Sequence, residues 1–297
     1  MSLELCVLGS GSSGNSTVVR APWGAFLVDA GFGPRVTEQR LHDLGLKLSD
    51  ISAIVLTHLD SDHFSPHWLL SVVKFGIKIH VSQRHLKEFL HMPEVRDLPP
   101  RLAKKHLPED SLQSLICPFD ESLEPLADVH MQSLPLAHDS TGSHGFVMDC
   151  KGYRVGFATD LGHVPDLLIE RFCGVDLLAL ESNYDPDMEE NSDRPYYLKQ
   201  RIMGGNGHLS NDQAFAAIQA ILDRTAATLG PDRLPRHIVL LHRSRQCNCP
   251  KLVQRLFSKD PRIAPVLTLT HQHERTPWLN ARRPRAVHVQ QLALAFG

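Results

Sequence analysis

An apolar run leads directly into a cluster of metal-binding side chains in the stretch Ile51-Ser52-Ala53-Ile54-Val55-Leu56-Thr57-His58-Leu59-Asp60-Ser61-Asp62-His63. Residues 51–56 have the pattern of a buried β-strand. A tight turn after this strand can bring the two histidines and the two aspartates into one small volume. Crowded carboxylates repel each other unless cations lie between them, and imidazole together with carboxylate suits zinc, manganese or iron. The alternative for this stretch taken alone is a solvated polar turn.

The same arrangement recurs three times later in the chain, where an apolar run ends at a histidine or an aspartate. The three places are residues 134–137 before His138 and Asp139, residues 153–158 before Thr159 and Asp160, and residues 237–241 before His242. Strands that deliver such side chains at the same end build a site along one edge of a sheet. An isolated histidine at a strand end is usually structural, but four such ends in one chain favour a metal site.

The rest of the chain predicts a succession of short strands and helices. Predicted strands are three within residues 3–30, then 51–56, 77–81, 113–119, 128–135, 145–149, 153–158, 177–180 and 237–241; predicted helices are 36–44, 66–75, 82–90, 211–222 and 250–257. Residues 92–109 carry prolines and mixed charges, which predict a variable loop. Two mixed β-sheets flanked by helices satisfy this order, so the predicted fold class is α+β, an αββα sandwich. We expect one domain over residues 1–297, with a core to about residue 270 and a tail, 271–297, of unassigned role.

The glycine-rich loop Gly9-Ser10-Gly11-Ser12-Ser13-Gly14 matches the fingerprint of a dinucleotide-binding turn. That fingerprint requires a helix next, whereas residues 15–20 are polar and β-branched and favour a strand. The loop is therefore predicted to be a hairpin connection that faces the metal site. Asp29, at the end of the third predicted strand, is expected to support the metal-binding loop by hydrogen bonding.

The ordered set of histidines and aspartates resembles the metallo-β-lactamase superfamily. The pattern there is His-x-His-x-Asp-His, followed by a histidine, a bridging aspartate and a final histidine. The resemblance spans the chain from the first strand to His242, and it implies the same αββα fold. Asp60 stands where the superfamily usually has a second histidine. An aspartate makes the site harder and more negative, which favours manganese or iron somewhat over zinc.

A narrower resemblance is to the YycJ/WalJ group of this superfamily. The motifs that carry it are residues 9–17, Thr159-Asp160-Leu161-Gly162, Leu180-Glu181-Ser182-Asn183-Tyr184-Asp185, Leu198-Lys199-Gln200-Arg201-Ile202 and Gly207-His208-Leu209-Ser210-Asn211. This resemblance implies a metal-dependent nuclease, with 5′-to-3′ DNA exonuclease activity. The sequence departs from the group at His242-Arg243-Ser244, where His-Leu-Ser is usual, and at Cys247-Asn248-Cys249.

The resemblance implies a catalytic site that contains two divalent ions, either zinc, manganese or iron. Its implied ligands are His58, Asp60 and His138 for one ion, Asp62, His63 and His242 for the other, and Asp160 as the bridge. Water bridging two such cations becomes hydroxide near neutral pH, and Asp62 would orient it. By analogy with the related tRNA 3′-processing enzymes, His208 would donate a proton to the leaving alkoxide. Glu181 would fix that imidazole and raise its pKa.

Three functions agree with this sequence. The first is a two-metal phosphodiesterase that acts on nucleic acid, with DNA as the expected substrate. The second is a hydrolase of the same fold that acts on a small-molecule ester or a cyclic phosphodiester. The third is a binding protein whose metal site is vestigial because of Asp60 and Arg243.

The net charge of the chain neither indicates nor excludes a nucleic-acid substrate. The net charge is −2 and the pI is about 6.8, whereas nucleic-acid binders often carry a basic excess. A nuclease can instead meet phosphates through its metals and a local basic strip. Three basic clusters could form such a strip: Arg101, Lys104 and Lys105; Arg194, Lys199 and Arg201; and Arg282, Arg283 and Arg285.

The cysteines predict a reducing environment, and the hydropathy predicts a protein without a membrane span. Four of the six cysteines lie in or beside apolar runs, which is typical of reduced core cysteines rather than a disulfide framework. The pair Cys247 and Cys249 could bind a soft metal, but a local structural turn is favoured. The sequence shows no membrane-spanning apolar stretch and no charged-then-apolar leader, so a cytoplasmic protein without membrane contact is expected.

Overall fold

The computed structural model describes residues 3–281, which form two β-sheets with helices on both outer faces. The strands, β1 to β14, are Glu4–Gly9, Ser16–Ala21, Gly24–Val28, Ile51–Val55, Lys78–Ser82, Ile116–Phe119, Ser122–Leu126, Val129–Leu136, Ser143–Cys150, Tyr153–Ala158, Leu177–Glu181, His237–Leu241, Leu267–Leu269 and Leu279–Asn280. Seven strands make the first sheet, in the order β14-β1-β2-β3-β4-β5-β6. The other seven make the second, in the order β13-β12-β11-β10-β9-β8-β7.

The helices pack outside the two sheets. The α-helices, α1 to α10, are Pro34–His42, Leu69–Phe75, Gln83–His91, Pro93–Arg96, Leu98–Ala103, Asp166–Arg171, Pro186–Glu190, Tyr196–Met203, Asn211–Leu229 and Pro250–Phe257. Short 3₁₀ turns lie at Leu48–Asp50, Pro66–Trp68, Gln113–Leu115, Pro231–Arg233 and Ala264–Val266. The long helix α9 begins with a capping box, in which Ser210 and Gln213 exchange hydrogen bonds with each other's backbone amide.

Three hydrophobic layers hold the four-layer sandwich together. Side chains from both sheets, among them Phe26 and Phe146, interdigitate in the central layer. Trp68 and Phe89 belong to the layer between the first sheet and α1, α2, α3 and α5. Phe172 belongs to the layer between the second sheet and α6, α9 and α10. The predicted αββα sandwich of two mixed sheets is therefore confirmed.

Parallel pairing directs several strands toward the same edge of the sandwich. In the first sheet β3, β4, β5 and β6 are parallel neighbours, and in the second β10, β11, β12 and β13 are. The segment after each of these strands therefore leaves the sheet at its carboxyl end. The glycine-rich loop connects the antiparallel strands β1 and β2, so the predicted hairpin is confirmed and a dinucleotide-binding turn is excluded.

The prediction of a variable loop over residues 92–109 is wrong. Helices α4 and α5 occupy much of this segment, and each has proline in its first turn. Proline is well tolerated there because the first helical N–H groups have no intrahelical partner. Leu98 and Leu102, four residues apart, are both buried in the layer beneath α5. Helix α9 also continues to Leu229, seven residues beyond its predicted end, before Gly230 caps it.

Six short elements after residue 120 were not predicted. They are the strands β7, β13 and β14 and the helices α6, α7 and α8. Residues 271–281 of the predicted tail pack on the first sheet: β14 pairs with β1, and the Thr276 hydroxyl accepts the amide of Val7. Arg282, Arg283 and Arg285 lie outside the described residues. The six cysteines are free thiols.

No helix within residues 3–281 combines the length and the apolar character required to cross a membrane.

Two buried histidines should make the fold sensitive to acid. Burial, together with the charge of Lys78, lowers the pKa of His80 from 6.5 to about 4, and burial beside His85 and Arg84 does the same for His144. Between pH 6.5 and pH 4 the unfolded chain binds protons that the folded chain does not. Stability must therefore fall as the pH falls through this window, by roughly 3 kcal/mol per histidine at most.

Urea unfolding of the metal-free protein at pH 7 and pH 4.5 checks this prediction. The double variant His80→Asn/His144→Asn should lose less stability between the two pH values than the wild type does. Replacing the exposed His130 with asparagine is the control and should leave the pH dependence unchanged. Equal acid sensitivity of the double variant and the wild type would contradict the prediction.

Candidate metal centre

Every ligand candidate of the sequence analysis lies at one edge of the sandwich. Within residues 3–281, four groups of side chains have donor atoms within 4.8 Å of one another: His58, Asp60 and His138; Asp62, His63 and His242; His58, His63 and Asp160; and Asp160, Glu181, His208 and His242. The first two are the sets that the resemblance implies for two ions. Asp160 lies between them, with its carboxylate 2.9 Å from Nε2 of His63 and 3.1 Å from Nδ1 of His242.

The four candidate ligand histidines are oriented through their Nδ1 atoms. Nδ1 of His58 contacts the Thr57 hydroxyl at 2.9 Å, and Nδ1 of His138 contacts the carbonyl oxygen of Gly207 at 2.9 Å. Nδ1 of His63 contacts Asp29, and Nδ1 of His242 contacts Glu181 and Asn183; those partners are described below. Hydrogen bonds at Nδ1 leave Nε2 of His58, His63 and His138 facing the cluster, the usual arrangement for a ligating histidine. His242 contacts Asp62 through Nε2 and Asp160 through Nδ1.

Asp29 supports the metal-binding loop as predicted. Its carboxylate accepts the backbone amide and the hydroxyl of Thr57, both within 3.0 Å, and its other oxygen lies 2.7 Å from Nδ1 of His63. All three residues are buried. Burial raises the pKa of Asp29, although His63 and Thr57 oppose this shift. The prediction that Asp29 holds the loop by hydrogen bonding is confirmed.

The glycine-rich loop reaches the cluster through Asn15. Its side-chain amide lies 2.9 Å from Nε2 of His63 and 3.3 Å from the carboxylate of Asp62, and its backbone amide donates to the Asp62 carbonyl. Gly31 leaves room for this contact, since a Cβ there would lie 1.8 Å from the Asp62 carbonyl oxygen. Asn15 lies within the motif of residues 9–17, but no role was predicted for it. Its position directly after a glycine-rich turn was visible in the sequence, whereas its burial was not.

Left-handed backbone conformations occur at four residues beside the cluster, of which Asp160 and His242 are ligand candidates. Asp29, Asp139, Asp160 and His242 have φ angles of 60°, 40°, 52° and 51°. These conformations are uncommon for residues with a Cβ and cost energy that the surrounding contacts must offset. In exchange, the chain turns sharply at the end of a strand, and each side chain reaches the cluster at the sheet edge.

The charges of the cluster are strongly coupled. Burial alone would lower the pKa of His242, but Asp160, Asp62 and Glu181 raise it to about 10. Burial likewise opposes a positive His63, yet Asp160 and Asp29 raise its pKa well above the ordinary value. Without metal, protons on these histidines therefore balance the buried carboxylates. A cation that binds here has to displace them, so binding releases protons.

The donor set fits divalent metal ions. Nε2 of His58 is buried and has no hydrogen-bond partner among the described residues, and burial with two neighbouring histidines keeps the pKa of His58 well below its ordinary value. A neutral, unpartnered imidazole nitrogen beside carboxylates is what a metal ion requires. Asp60 is the most exposed candidate, with 48% of its side chain accessible, and its Oδ2 lies 3.8 Å from that nitrogen.

The partly buried His208 pairs with the fully buried Glu181 beside the ligand candidates. Nδ1 of His208 lies 2.8 Å from Oε1 of Glu181, as the sequence analysis expected, and the same oxygen lies 3.0 Å from Nδ1 of His242. The other carboxylate oxygen accepts the backbone amides of Leu161 and Leu209. Burial lowers the pKa of His208, but Glu181 and Asp160 outweigh it and raise the pKa. The pair therefore favours the protonated form of the His208 imidazole at the edge of the site.

A network of buried side-chain amides holds His242 in position. Nδ2 of Asn183 donates to the His242 carbonyl at 2.7 Å and contacts its Nδ1 at 3.1 Å. Asn248 donates to the carbonyl of Asn183, and its own oxygen accepts from Asn211. The Ser182 hydroxyl completes the network by donating to Asn211. Asn248 was missed as a supporting residue because only the folded chain brings it beside the Glu181-Ser182-Asn183 motif.

A cavity of about 410 Å³ opens over the cluster. Its polar lining contains Asp60, Asp62, His138, Asp160, His208 and His242, together with Arg194 and Arg201. Arg201 pairs with Asp139, and Arg194 pairs with the fully buried Glu189 at 2.8 Å. Of the two basic clusters that the structure describes, the one that contains Arg194 and Arg201 therefore reaches the site. Arg101 lines a different depression, together with residues of α1 and α2.

The comparison with protein families agrees with this geometry. A family model described as "Beta-lactamase superfamily domain" matches residues 25–229. That span covers more than half of the chain and reaches from β3 through α9. The chain belongs to the metallo-β-lactamase superfamily.

Its relatives place it beside one group of that superfamily. It is 26% identical over 260 residues to Exodeoxyribonuclease YycJ of Bacillus anthracis, covering 87% of this chain and 89% of the relative. It is 28% identical over 250 residues to Exodeoxyribonuclease WalJ of Streptococcus pneumoniae serotype 2, covering 83% of each. The solved metallo-β-lactamase-fold protein YhfI of Bacillus subtilis superposes with a TM-score of 0.62 at 14% identity, over 93% of this chain and 99% of that one.

Proposed function

We propose that this chain is a metal-dependent phosphodiester hydrolase that digests nucleic acid, as a 5′-to-3′ DNA exonuclease. One observation carries the proposal: the two donor sets converge around Asp160 at a cavity that also contains the His208–Glu181 pair. The relatives named exodeoxyribonuclease support DNA as the substrate. Two zinc, manganese or iron ions, when bound, would lower the pKa of the attacking water and offset the charge of the phosphodiester.

The implied holding residues are those of the two sets. His58, Asp60 and His138 would hold one ion, Asp62, His63 and His242 the other, and Asp160 would contact both. Asp62 would also orient the attacking water. Burial would raise its pKa, but His242 and His63 lower it to about 2, so its carboxylate is ionised at neutral pH. An ionised Asp62 in the cavity wall can accept a hydrogen bond from the attacking water and orient it.

His208 supplies the proton that the leaving oxygen needs. Its Nδ1 is engaged by Glu181, which leaves Nε2 as the atom that donates. The raised pKa of His208 keeps this proton in place near neutral pH. An imidazolium within reach of a departing alkoxide prevents an unstable anion from forming, which is the role of a general acid.

The two arginines of the cavity wall, Arg194 and Arg201, bind the phosphates of the nucleic-acid strand. Both guanidinium groups are already oriented, Arg201 by Asp139 and Arg194 by Glu189 and Gln246. Pre-oriented guanidinium groups bind phosphate oxygens at a small entropic cost. Each neutralised phosphate adds to the salt dependence of binding, so DNA affinity should fall as salt is raised.

Digestion of end-labelled DNA tests the proposed function. Protein stripped with a chelator should be inactive, and reloading with Mn²⁺ or Zn²⁺ should restore digestion that releases the 5′ label before the 3′ label. Bis(p-nitrophenyl) phosphate, assayed in parallel, reports hydrolysis of a small diester. Cleavage of that diester with DNA left intact would favour the small-molecule hydrolase. Substoichiometric metal after reloading, with no turnover, would favour a binding protein.

A further inference from the structure

Two adjacent tyrosines beside the cavity are exposed to solvent. Tyr196 and Tyr197 expose 75% and 74% of their surface, the highest values among the large apolar and aromatic residues in the described part of the chain. Aromatic side chains usually bury most of their surface. These two open helix α8, directly after Arg194 and Pro195 and one turn before Arg201. The two exposed rings therefore lie on the helix that carries Arg201 into the cavity lining, directly after the segment that contributes Arg194.

The two tyrosines point to different sides of α8. Leu198, Arg201 and Ile202 line the cavity, so they define the helix face that looks into it. Tyr197 lies four residues before Arg201, about 40° away around the axis, and is its neighbour on the helix surface. Tyr196 lies two residues before Leu198, roughly 160° away, on the opposite side. Tyr197 therefore flanks the cavity, whereas Tyr196 faces away from it.

The surroundings of Tyr197 suit nucleic acid better than a protein partner. The exposed part of α8 carries Lys199, Gln200 and Arg201 rather than a continuous apolar stripe. A protein that docked on this helix would need such a stripe. An aromatic face beside guanidinium groups is instead the combination that binds single-stranded nucleic acid, with bases stacked on the ring and phosphates on the cations.

We propose that Tyr197 is a stacking platform for an unpaired base of the substrate strand, while Arg201 contacts the phosphate next to it. This proposal rests on the proposed function and narrows the substrate to a nucleic-acid end that is single-stranded where it enters the cavity. In a duplex, both faces of each internal base are already stacked, so the ring of Tyr197 has no open base to bind.

Three variants in the metal-loaded protein test this inference. Tyr197→Ala removes the ring, Tyr197→Phe keeps it, and Tyr196→Ala removes an equally exposed ring on the other side of α8. We expect Tyr197→Ala to lower kcat/KM on a single-stranded oligonucleotide by at least about fivefold, the lower end of base-stacking energies. Tyr197→Phe and Tyr196→Ala should stay within about twofold of the wild type, and all three should hydrolyse bis(p-nitrophenyl) phosphate at the wild-type rate.

The outcomes separate this inference from the proposed function. If the wild type does not digest DNA, the proposed function fails and this inference fails with it. If the wild type digests DNA and Tyr197→Ala is equally active, only the stacking platform is overturned. An equal loss in Tyr196→Ala, or a loss that extends to the small diester, would also overturn it, because neither follows from a base stacked on one side of α8.

Discussion

Replacing Asp160 with asparagine is expected to remove metal from the site and to abolish turnover. Asp160 is buried and lies within 4.0 Å of His63, His138 and His242, so its carboxylate contacts residues of both donor sets. Partners that merely orient a ligand contribute 10- to 100-fold to metal affinity. A shared ligand should contribute more, so we expect a loss of at least about a hundredfold in affinity for Mn²⁺ or Zn²⁺ and a comparable loss in kcat/KM.

Asparagine is chosen because it keeps the shape of the side chain and tolerates the left-handed backbone at this position. Asp128→Asn is the matched control: Asp128 also has a positive φ, of 63°, but lies in an exposed turn between β7 and β8. Metal content by elemental analysis and affinity by competition with a chromophoric chelator are the measurements. Full metal content in Asp160→Asn would show that Asp160 does not bridge two ions. Unfolding of the apo variants in urea shows whether the fold itself has changed.

The positions of the candidate ligands were predictable because they depend on local chain geometry. Each lies within a few residues of the end of a strand, and the apolar runs that mark these strands are visible in the sequence. His58 and Asp160 lie at one edge because β4 is parallel to β3 and β5, and β10 is parallel to β11, so the segment after each strand leaves at the carboxyl end. The motif order added which side chain belongs to which set. Both the apolar runs that mark strand ends and the individual motifs are recognised from residues that lie close together in the sequence.

The supporting contacts were harder to predict because they join distant parts of the chain. Asn248 lies 65 residues from Asn183, and Asn15 lies 48 residues from His63. An asparagine has no hydropathy signal that separates a buried support from a surface turn. The pairing of Arg201 with Asp139 spans 62 residues for the same reason. Such contacts follow from the packing of the two sheets and not from any local pattern.

The error over residues 92–109 has a different physical cause. Prolines were taken to break helices there, although Pro93, Pro99 and Pro100 each fall in the first turn of a helix. In that position proline loses no intrahelical hydrogen bond, and its fixed φ angle favours the helix. The buried pair Leu98 and Leu102 carried a helical spacing that the proline content obscured.

Replacing His208 with alanine is expected to lower kcat on DNA by about a hundred- to ten-thousandfold while the metal content stays at the wild-type value. The 3′ or 5′ oxygen of a nucleotide is a poor leaving group unless it receives a proton, and His208, which is hydrogen-bonded to Glu181, is the proposed donor in the cavity wall. Hydrolysis of bis(p-nitrophenyl) phosphate should fall far less, since p-nitrophenolate leaves readily without protonation. Glu181→Gln should reproduce the same selectivity to a smaller degree.

The metal content of His208→Ala decides between two roles for this side chain. Asp160, Glu181, His208 and His242 also have donor atoms within 4.8 Å of one another, so the geometry would permit His208 to be a ligand. A ligand would lose metal and would lose activity equally on both substrates. A general acid would keep its metal and would lose activity mainly on DNA. The exposed His130, replaced with alanine, should change neither measurement, which makes the ratio of the two activities a direct readout of proton donation by His208.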